Sequence, residues 1–122
     1  MFTCFCIGLG GFIGAVLRYL AGTVIYNEGF PLATFLINFI GSVAIGVVIQ
    51  ISMKVSAPPD LILFFKTGLC GGFTTFSTFS AEVLKLFEKK QYLLGSGYAA
   101  TSVAVCVVGV LLGKTIAGLI IR

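Results

Sequence analysis

Long apolar runs alternate with short polar breaks along the chain. The runs cover approximately residues 5–26, 32–53, 61–87 and 92–121. The breaks between them are rich in Asn, Lys, Gly and Pro, which interrupt helices and form turns. Each run reaches the length of about 20 residues that a helix needs to cross the hydrocarbon core of a bilayer. Because backbone groups in lipid must be hydrogen-bonded internally, the pattern predicts four transmembrane helices in a single domain, residues 1–122.

The composition agrees with a protein surrounded by membrane lipid. The chain is 58% hydrophobic and 10% charged, with a mean hydropathy of +1.13, whereas soluble domains carry about 25% charged residues. Its basic residues are scattered along the sequence rather than clustered, although the net charge is +4. This distribution argues against a nucleic-acid partner, which would need a dense basic patch.

Other classes of site find little support in the residues. The four cysteines lie in apolar runs and no histidine is present, so the cysteines are expected to be small buried hydrophobes rather than metal ligands. The sequence has no nucleophile–base constellation, and we do not expect an enzyme. The first run has no basic leader and no small-residue cleavage site, and we therefore expect it to be the first span.

Small residues recur at helical spacing within the spans. They are Gly8, Gly10, Gly11 and Gly14 in the first span, Gly41, Ser42 and Gly46 in the second, and Gly109 and Gly113 in the fourth. Small side chains allow helix backbones to approach closely. The pattern therefore predicts tight helix packing, and it carries little information about function.

Basic residues are divided almost evenly between the two sides of the predicted topology. The side of the first and third loops carries Lys85, Lys89 and Lys90, joined by Arg18 if it reaches the interface, and the other side carries Lys54 and Arg122, joined by Lys66 and Lys114 on the same condition. The positive-inside rule then gives almost no preferred orientation. We expect insertion in both orientations and antiparallel pairing of two copies; one fixed orientation is the alternative.

Three polar features inside the spans are candidates for function, because polar groups at membrane depth are costly. Arg18 is either a snorkelling anchor or a cation that faces an aqueous vestibule. Thr34 and Asn38 share one helix face at i, i+4, and Asn38 either bonds between helices or donates to a partly dehydrated anion.

The third feature is the segment from Gly68 to Ser80. The adjacent glycines Gly71 and Gly72 predict a helix break at mid-span, which would expose carbonyl oxygens. Five hydroxyl side chains follow, namely Thr74, Thr75, Ser77, Thr78 and Ser80; back-bonding within the helix explains one or two of them. Phe76 and Phe79 share a face and could turn their positive ring edges toward an anion. Donors without formal charge beside phenyl edges suit a small anion.

This segment, followed by Glu82, resembles the signature of the Fluc family of fluoride channels. Gly10-Gly11 with Arg18, and Thr34 with Asn38, match the family in order and spacing. The resemblance covers essentially the whole chain. It implies an all-α membrane protein with its third helix broken mid-membrane, assembled as an antiparallel dual-topology dimer with two fluoride pores.

The resemblance also assigns roles to individual residues. Phe76 and Phe79 would line the ion path, with Asn38 hydrogen-bonding near the rings. Ser77 and Thr78 would extend a polar track, Ser80 is a further expected pore residue, and Arg18 and Thr34 would lie near the vestibule. A structural sodium ion would be held at the dimer centre by the carbonyls of Gly71 and Thr74 from both subunits. Glu82 matches a family acid without an assigned role.

The fourth span matches the family only in part. Tyr98 and Ser102 lie on one helix face and fit the hydroxyl groups that line it in the family. Cys106 follows on the same face and is a weak donor at a position where serine is expected. The missing donor leaves open whether the chain pairs with itself or with a homologous chain in a heterodimer.

The sequence thus predicts a fluoride channel in the cell membrane that passively exports fluoride from the cytoplasm. A small dual-topology drug–proton exchanger is the first alternative, although it would need an acid in the first span, where Arg18 lies instead. A non-transporting assembly or lysis protein is the second, and it would have no need of Asn38 and the clustered hydroxyls.

Overall fold

The computed structural model describes residues 1–25 and 27–121, and these residues form helices joined by short turns. The helices are α1 (Phe2–Val24), α2 (Leu32–Lys54), α3 (Pro59–Leu63), a π-helical segment (Phe64–Cys70), α4 (Gly71–Phe73), α5 (Phe76–Glu88) and α6 (Tyr92–Ile120). Tyr26, at the end of the first predicted span, and Arg122, one of the interface cations, lie outside the described residues.

Three of the predicted spans are continuous helices. Within the described residues, α1, α2 and α6 are long and apolar enough to cross a membrane. The third predicted span is the one that is bent. It consists of α3, the π-helical segment, α4 and α5 in succession. The prediction of an all-α membrane fold with a broken third span is therefore confirmed.

The break in the third span lies later than the sequence predicts. Gly71 and Gly72 are helical, and the chain becomes extended at Thr74 (φ −79°, ψ 159°) and Thr75 (φ −148°, ψ 115°). The expectation of a break at the glycine pair is wrong by about three residues. The reason is that Gly72 serves close packing: a Cβ there would lie 2.5 Å from the Gly11 carbonyl oxygen.

The first half of the third span lies directly against α1. A Cβ on Gly14 would lie 2.7 Å from the Phe73 amide nitrogen, and one on Gly68 would lie 2.7 Å from the Ile7 carbonyl oxygen. By contrast, no atom lies within 4 Å of the corresponding point on Gly8. Glycines in the first span therefore bring two backbones together, as predicted, with the exception of Gly8.

Helices α2 and α6 form the other close pair. A Cβ on Gly113 would lie 2.9 Å from the Val47 amide nitrogen. At the end of this pair, Lys54 Nζ donates to the Ile121 carbonyl oxygen at 2.9 Å. The end of the second span and the C-terminal end of the fourth therefore lie on the same side of the protein.

A small aromatic core fixes α5 against α6. Phe79, Leu86 and Tyr98 are its buried members, and Phe30 from the first loop contacts Tyr98 edge to face at a centroid distance of 5.4 Å. Much of the remaining apolar surface is exposed on the single chain, as expected for a lipid-facing protein. The core therefore anchors α5, the helix that carries the two phenylalanines of the signature.

Candidate functional site

A groove of about 410 Å³ runs along one side of the chain, between α2, the third span and α6. It is lined by Asn38, Gly41, Ser42, Ile45, Lys66, Cys70, Gly71, Thr74, Thr75, Phe76, Phe79, Ser102, Val103, Cys106 and Val107. The structure thus brings residues from the second, third and fourth spans into one depression. Among the residues predicted for the site, Asn38, Phe76, Phe79 and Ser102 line it together with Gly71 and Thr74.

Asn38 holds the backbone at the break. Its Nδ2 donates to the Thr75 carbonyl oxygen at 3.0 Å, and its Oδ1 accepts from the Thr75 amide at 2.8 Å. This pair supplies partners for backbone groups that leave the helical pattern, and such groups cannot remain unpaired in lipid. Asn38 therefore makes the bond between helices that was one of its two roles predicted from the sequence. The second hydrogen of its Nδ2 can still donate to another group at the groove.

The hydroxyls that follow the break form a helix cap. Thr75 is the N-cap of α5, and its Oγ1 accepts from the Thr78 amide at 3.2 Å. Thr75 Oγ1 also donates to Thr78 Oγ1 at 3.0 Å and lies 3.4 Å from Ser77 Oγ. Ser77 and Thr78 are exposed on the single chain. Their hydroxyl groups are therefore held close to the capping residue Thr75, which itself lines the groove.

The two remaining hydroxyls of the segment bond back to their own helices. Thr74 Oγ1 donates to the Cys70 carbonyl oxygen, and Ser80 Oγ donates to the Phe76 carbonyl oxygen, each at 2.9 Å. Such back-bonding is common for Ser and Thr in helices. It accounts for two of the five clustered hydroxyls, and a helix cap accounts for the positions of the other three.

The two phenyl rings of the signature lie on one helix face, as their three-residue spacing predicts, and they contact each other. Their centroids are 5.5 Å apart and the ring planes are inclined by 44°. Phe79 is 8% exposed, whereas Phe76 is 76% exposed on the single chain. Phe79 also lies 5.3 Å from the Tyr98 ring. A row of aromatic rings therefore leads from the open side of the groove toward the buried core.

Glu82 lies at the inner end of this row, between three helices. Its Oε1 accepts from Thr34 Oγ1 at 2.7 Å, and its Oε2 accepts from the Tyr98 hydroxyl at 2.8 Å. Thr34 and Tyr98 are 5% and 2% exposed. Sequence reasoning left Glu82 without a role; the signal that could have found it is a lone acid inside a span, since such residues have nearby partners.

Ser102 is the most informative side chain of the fourth span. It is 5% exposed, and its Oγ is the one buried side-chain polar atom without a hydrogen-bond partner in the described part of the chain. A buried hydroxyl without a partner is unfavourable by about 1–3 kcal/mol. Ser102 lines the groove with Phe76 and Phe79, and Cys106 follows on the same side. The wall of the groove therefore contains a buried hydroxyl that lacks a well-formed hydrogen bond, beside two aromatic rings.

Arg18 contacts the break from the opposite side. Its Nη1 donates to the Thr74 carbonyl oxygen at 3.2 Å. The Gly71 carbonyl would accept from the Thr75 amide in a continuous helix, but that amide donates to Asn38 instead. The break thus frees one of the two carbonyls expected to hold sodium, and the other is shared with Arg18. Carbonyl oxygens of broken helices suit a sodium ion, so this part of the chain fits one half of such a site.

A second cavity of about 360 Å³ lies beyond Glu82, toward the first loop. It is lined by Asn27, Gly29, Phe30, Pro31, Glu82, Lys85, Leu86 and Lys89. Glu82 borders this cavity, and its partner Tyr98 contacts Phe79 in the groove wall. The carboxylate and its two hydroxyl donors therefore separate the groove from the second cavity.

Comparison with known proteins shows the family to which the chain belongs. Residues 5–114 match the family of CrcB-like proteins, named for camphor resistance. A protein of Ruminiclostridium cellulolyticum named fluoride-specific ion channel FluC is 44% identical over 117 residues, with 91% of this chain and 88% of the relative covered. Proteins of the same name from Elusimicrobium minutum (42% identical; 96% of this chain and 94% of the relative covered) and Methanococcus aeolicus (38%; 95% of each) are also similar. The chain belongs to the CrcB-like family.

Proposed function

We propose that this protein is a fluoride-selective channel that lets fluoride leave the cytoplasm passively. The observation that carries the proposal is the buried Ser102 hydroxyl, which has no partner in the described chain and borders the groove beside Phe76 and Phe79. An anion in the groove would accept from this hydroxyl and remove the unfavourable unpaired donor. The names of the relatives point to fluoride, and they give no support to a drug–proton exchanger.

The proposed fluoride site combines weak donors with phenyl edges. Ser102 donates its hydroxyl, Asn38 supplies the amide hydrogen that is not bonded to Thr75, and the rings of Phe76 and Phe79 present their positive edges. Each contact is weak, and conduction requires binding that is strong enough to admit the ion and weak enough to release it. The Ser77 and Thr78 hydroxyls, which lie against the groove-lining residue Thr75, would extend the row of donors, and Ser80 lies one turn further along α5.

The proposed path continues from the rings past Glu82 to the second cavity. Thr34 and Tyr98 donate to the Glu82 carboxylate, and these donors offset its negative charge where an anion would pass. Both hydroxyls could instead donate to fluoride when the carboxylate moves aside. In this scheme Arg18 acts on the backbone, since it holds the Thr74 carbonyl at the corner of the path.

The groove is open on one side, and we propose that a second copy covers it. Phe76, which would line the path, is 76% exposed on the single chain, and one chain therefore does not enclose the ion. The almost even distribution of basic residues permits insertion in both orientations, which favours an antiparallel pair with two pores. The carbonyls of Gly71 and Thr74 from both copies would then surround a sodium ion that supports the dimer centre.

The proposed setting is the cell membrane, where passive export protects against fluoride. Three described helices have the length and apolarity to span a bilayer. Fluoride enters a cell as neutral hydrogen fluoride and dissociates inside, so that the anion accumulates. An anion pathway then returns it down its electrochemical gradient without a coupled energy source.

Reconstitution into liposomes tests the proposal. Purified protein should release fluoride from loaded vesicles, recorded by a fluoride electrode, while chloride is retained. Ser102→Ala should slow the release by about tenfold, equivalent to the loss of one hydrogen bond of about 1.4 kcal/mol. Thr101→Ala is the matched control, because Thr101 is the exposed neighbour on α6 and should leave the rate unchanged.

The results of these assays distinguish a homodimeric from a heterodimeric channel and test whether the Ser102 hydroxyl lies on the ion path. Absence of fluoride release from the purified chain would reject a homodimeric channel. Release restored by adding a homologous second chain would assign this protein to a heterodimer. Normal release by Ser102→Ala would remove the unpaired hydroxyl from the ion path.

A further inference from the structure

Lys66 occupies an unusual position for a charged residue. It lies inside the third span, on the π-helical segment, and is exposed on the single chain. Among the described residues that line the groove, Lys66 is the only charged one. Neither the helix packing nor the network around Glu82 makes use of this side chain.

The first half of the third span has two sides, one that packs against α1 and one that lines the groove. Gly68 and Gly72 lie against α1, where a Cβ on each would meet the backbone of that helix at 2.5–2.7 Å. Lys66, Cys70 and Gly71 lie on the groove side. Because π-helical hydrogen bonds connect residues five apart, residues at spacings of four and five can share this side. The local helix geometry therefore places Lys66 on the same side of the third span as Cys70 and Gly71.

The surroundings of Lys66 do not suit an ammonium group exposed to lipid. None of the described residues that line the groove with Lys66, among them Ile45, Cys106 and Val107, carries a negative charge. A charged side chain within a span is unfavourable unless it reaches water, a counter-charge or backbone oxygen. Lys54 illustrates the ordinary solution in this chain, since it lies at a helix end and donates to the Ile121 carbonyl. Lys66 instead faces the groove that contains the unpaired Ser102 hydroxyl.

We propose that Lys66 recruits the anion to the groove. Its ammonium is a compact point charge on a flexible stem, and it raises the concentration of fluoride at one end of the row of weak donors. The ion then passes to Ser102, Asn38 and the phenyl edges, none of which has a charge of its own. This inference rests on the proposed channel function and assigns the electrostatic part of anion entry to one residue.

The experiment compares fluoride release by three variants in neutral-lipid vesicles. Lys66→Met keeps the length of the side chain and removes its charge, and it should lower the release rate at low ionic strength by about tenfold, as expected when a focused field is lost. Lys66→Arg keeps the charge and should release fluoride at close to the original rate. Lys54→Met removes a lysine outside the groove and should have no effect on the rate.

The dependence of fluoride release on ionic strength distinguishes an electrostatic role of Lys66 from a purely structural one, because a structural role would not make the rate depend on salt. Increasing an impermeant salt from about 0.01 M to 1 M shortens the Debye length from about 30 Å to 3 Å. Release by the original protein should fall over this range, and release by Lys66→Met should stay flat. Equal release and equal salt dependence in both proteins would overturn the inference and make Lys66 a membrane anchor. Failure of the proposed function is distinct, because the original protein would then release no fluoride at any salt concentration.

Discussion

The break in the third span, at Thr74 and Thr75, should depend for its stability on Asn38 more than on any nearby hydroxyl. Asn38→Leu keeps the approximate side-chain volume and removes both partners of Thr75, whose amide and carbonyl are bonded at 2.8 Å and 3.0 Å. Thr75 is 7% exposed, so neither group regains a partner from water. An unpaired buried polar group costs about 1–3 kcal/mol, and the two together give a loss of about 2–6 kcal/mol in the free energy of unfolding.

A loss of this size is a large part of the stability of a typical domain, which is about 5–15 kcal/mol. It should appear as an earlier midpoint when the protein in mixed micelles is titrated with a denaturing detergent and followed by circular dichroism. Ser42→Ala is the matched control. Its hydroxyl lies one turn further along α2 and donates to the Asn38 carbonyl of the same helix at 2.7 Å, and its removal should change stability by less than about 1 kcal/mol.

The comparison between the two variants can refute the reasoning. If Asn38→Leu unfolds at the same detergent fraction as the unsubstituted protein, then the Thr75 backbone does not depend on the Asn38 amide. The break would in that case be held by the Thr75 cap and by Arg18 alone. Equal loss of stability in both variants would instead point to a general weakening of α2.

Three further changes test other parts of the structure. Gly14→Ala places a methyl group 2.7 Å from the Phe73 amide and should prevent recovery of folded protein, measured by size exclusion; Gly8→Ala meets no atom within 4 Å and should be tolerated. Phe79→Ile removes a ring edge and should slow fluoride release about tenfold or more without changing the elution volume, and an unchanged rate would exclude this ring. Tyr98→Phe takes one donor from the Glu82 carboxylate and should destabilise the protein by about 1.5–3 kcal/mol, followed in the same detergent titration; no shift would mean that another donor replaces it.

The hydrophobic pattern and the helical spacing were sufficient to predict the spans and to predict which side chains share a helix face. The i, i+4 spacing of Thr34 and Asn38 predicts that they share a face, and in the structure both bond to α5 or its N-cap residue. The three-residue spacing of Phe76 and Phe79 predicts that the two side chains share a helix face, and the structure adds that their rings are in contact. These relations lie within single helices, where sequence distance fixes geometry.

Relations between distant helices were outside the reach of the sequence. The glycine pair in the third span has the composition of a break, but Gly72 is required for contact with Gly11, and the extended residues are Thr74 and Thr75. In the same way, the partners of Glu82 come from two other helices. Local propensity cannot decide such cases, because the deciding contact belongs to a segment far away in the chain.

The bonded corner of the third span has a consequence for motion. Rotation about Thr74 and Thr75 would break both bonds to Asn38, the Arg18 bond and the Thr78 cap together. A bend held by these bonds is fixed and does not act as a hinge. The two halves of the third span therefore do not move relative to each other as a gate would require. In the proposed channel the backbone of the third span would therefore keep its shape, any motion along the path would be left to side chains such as Glu82, and the ion gradient alone would set the direction of flow.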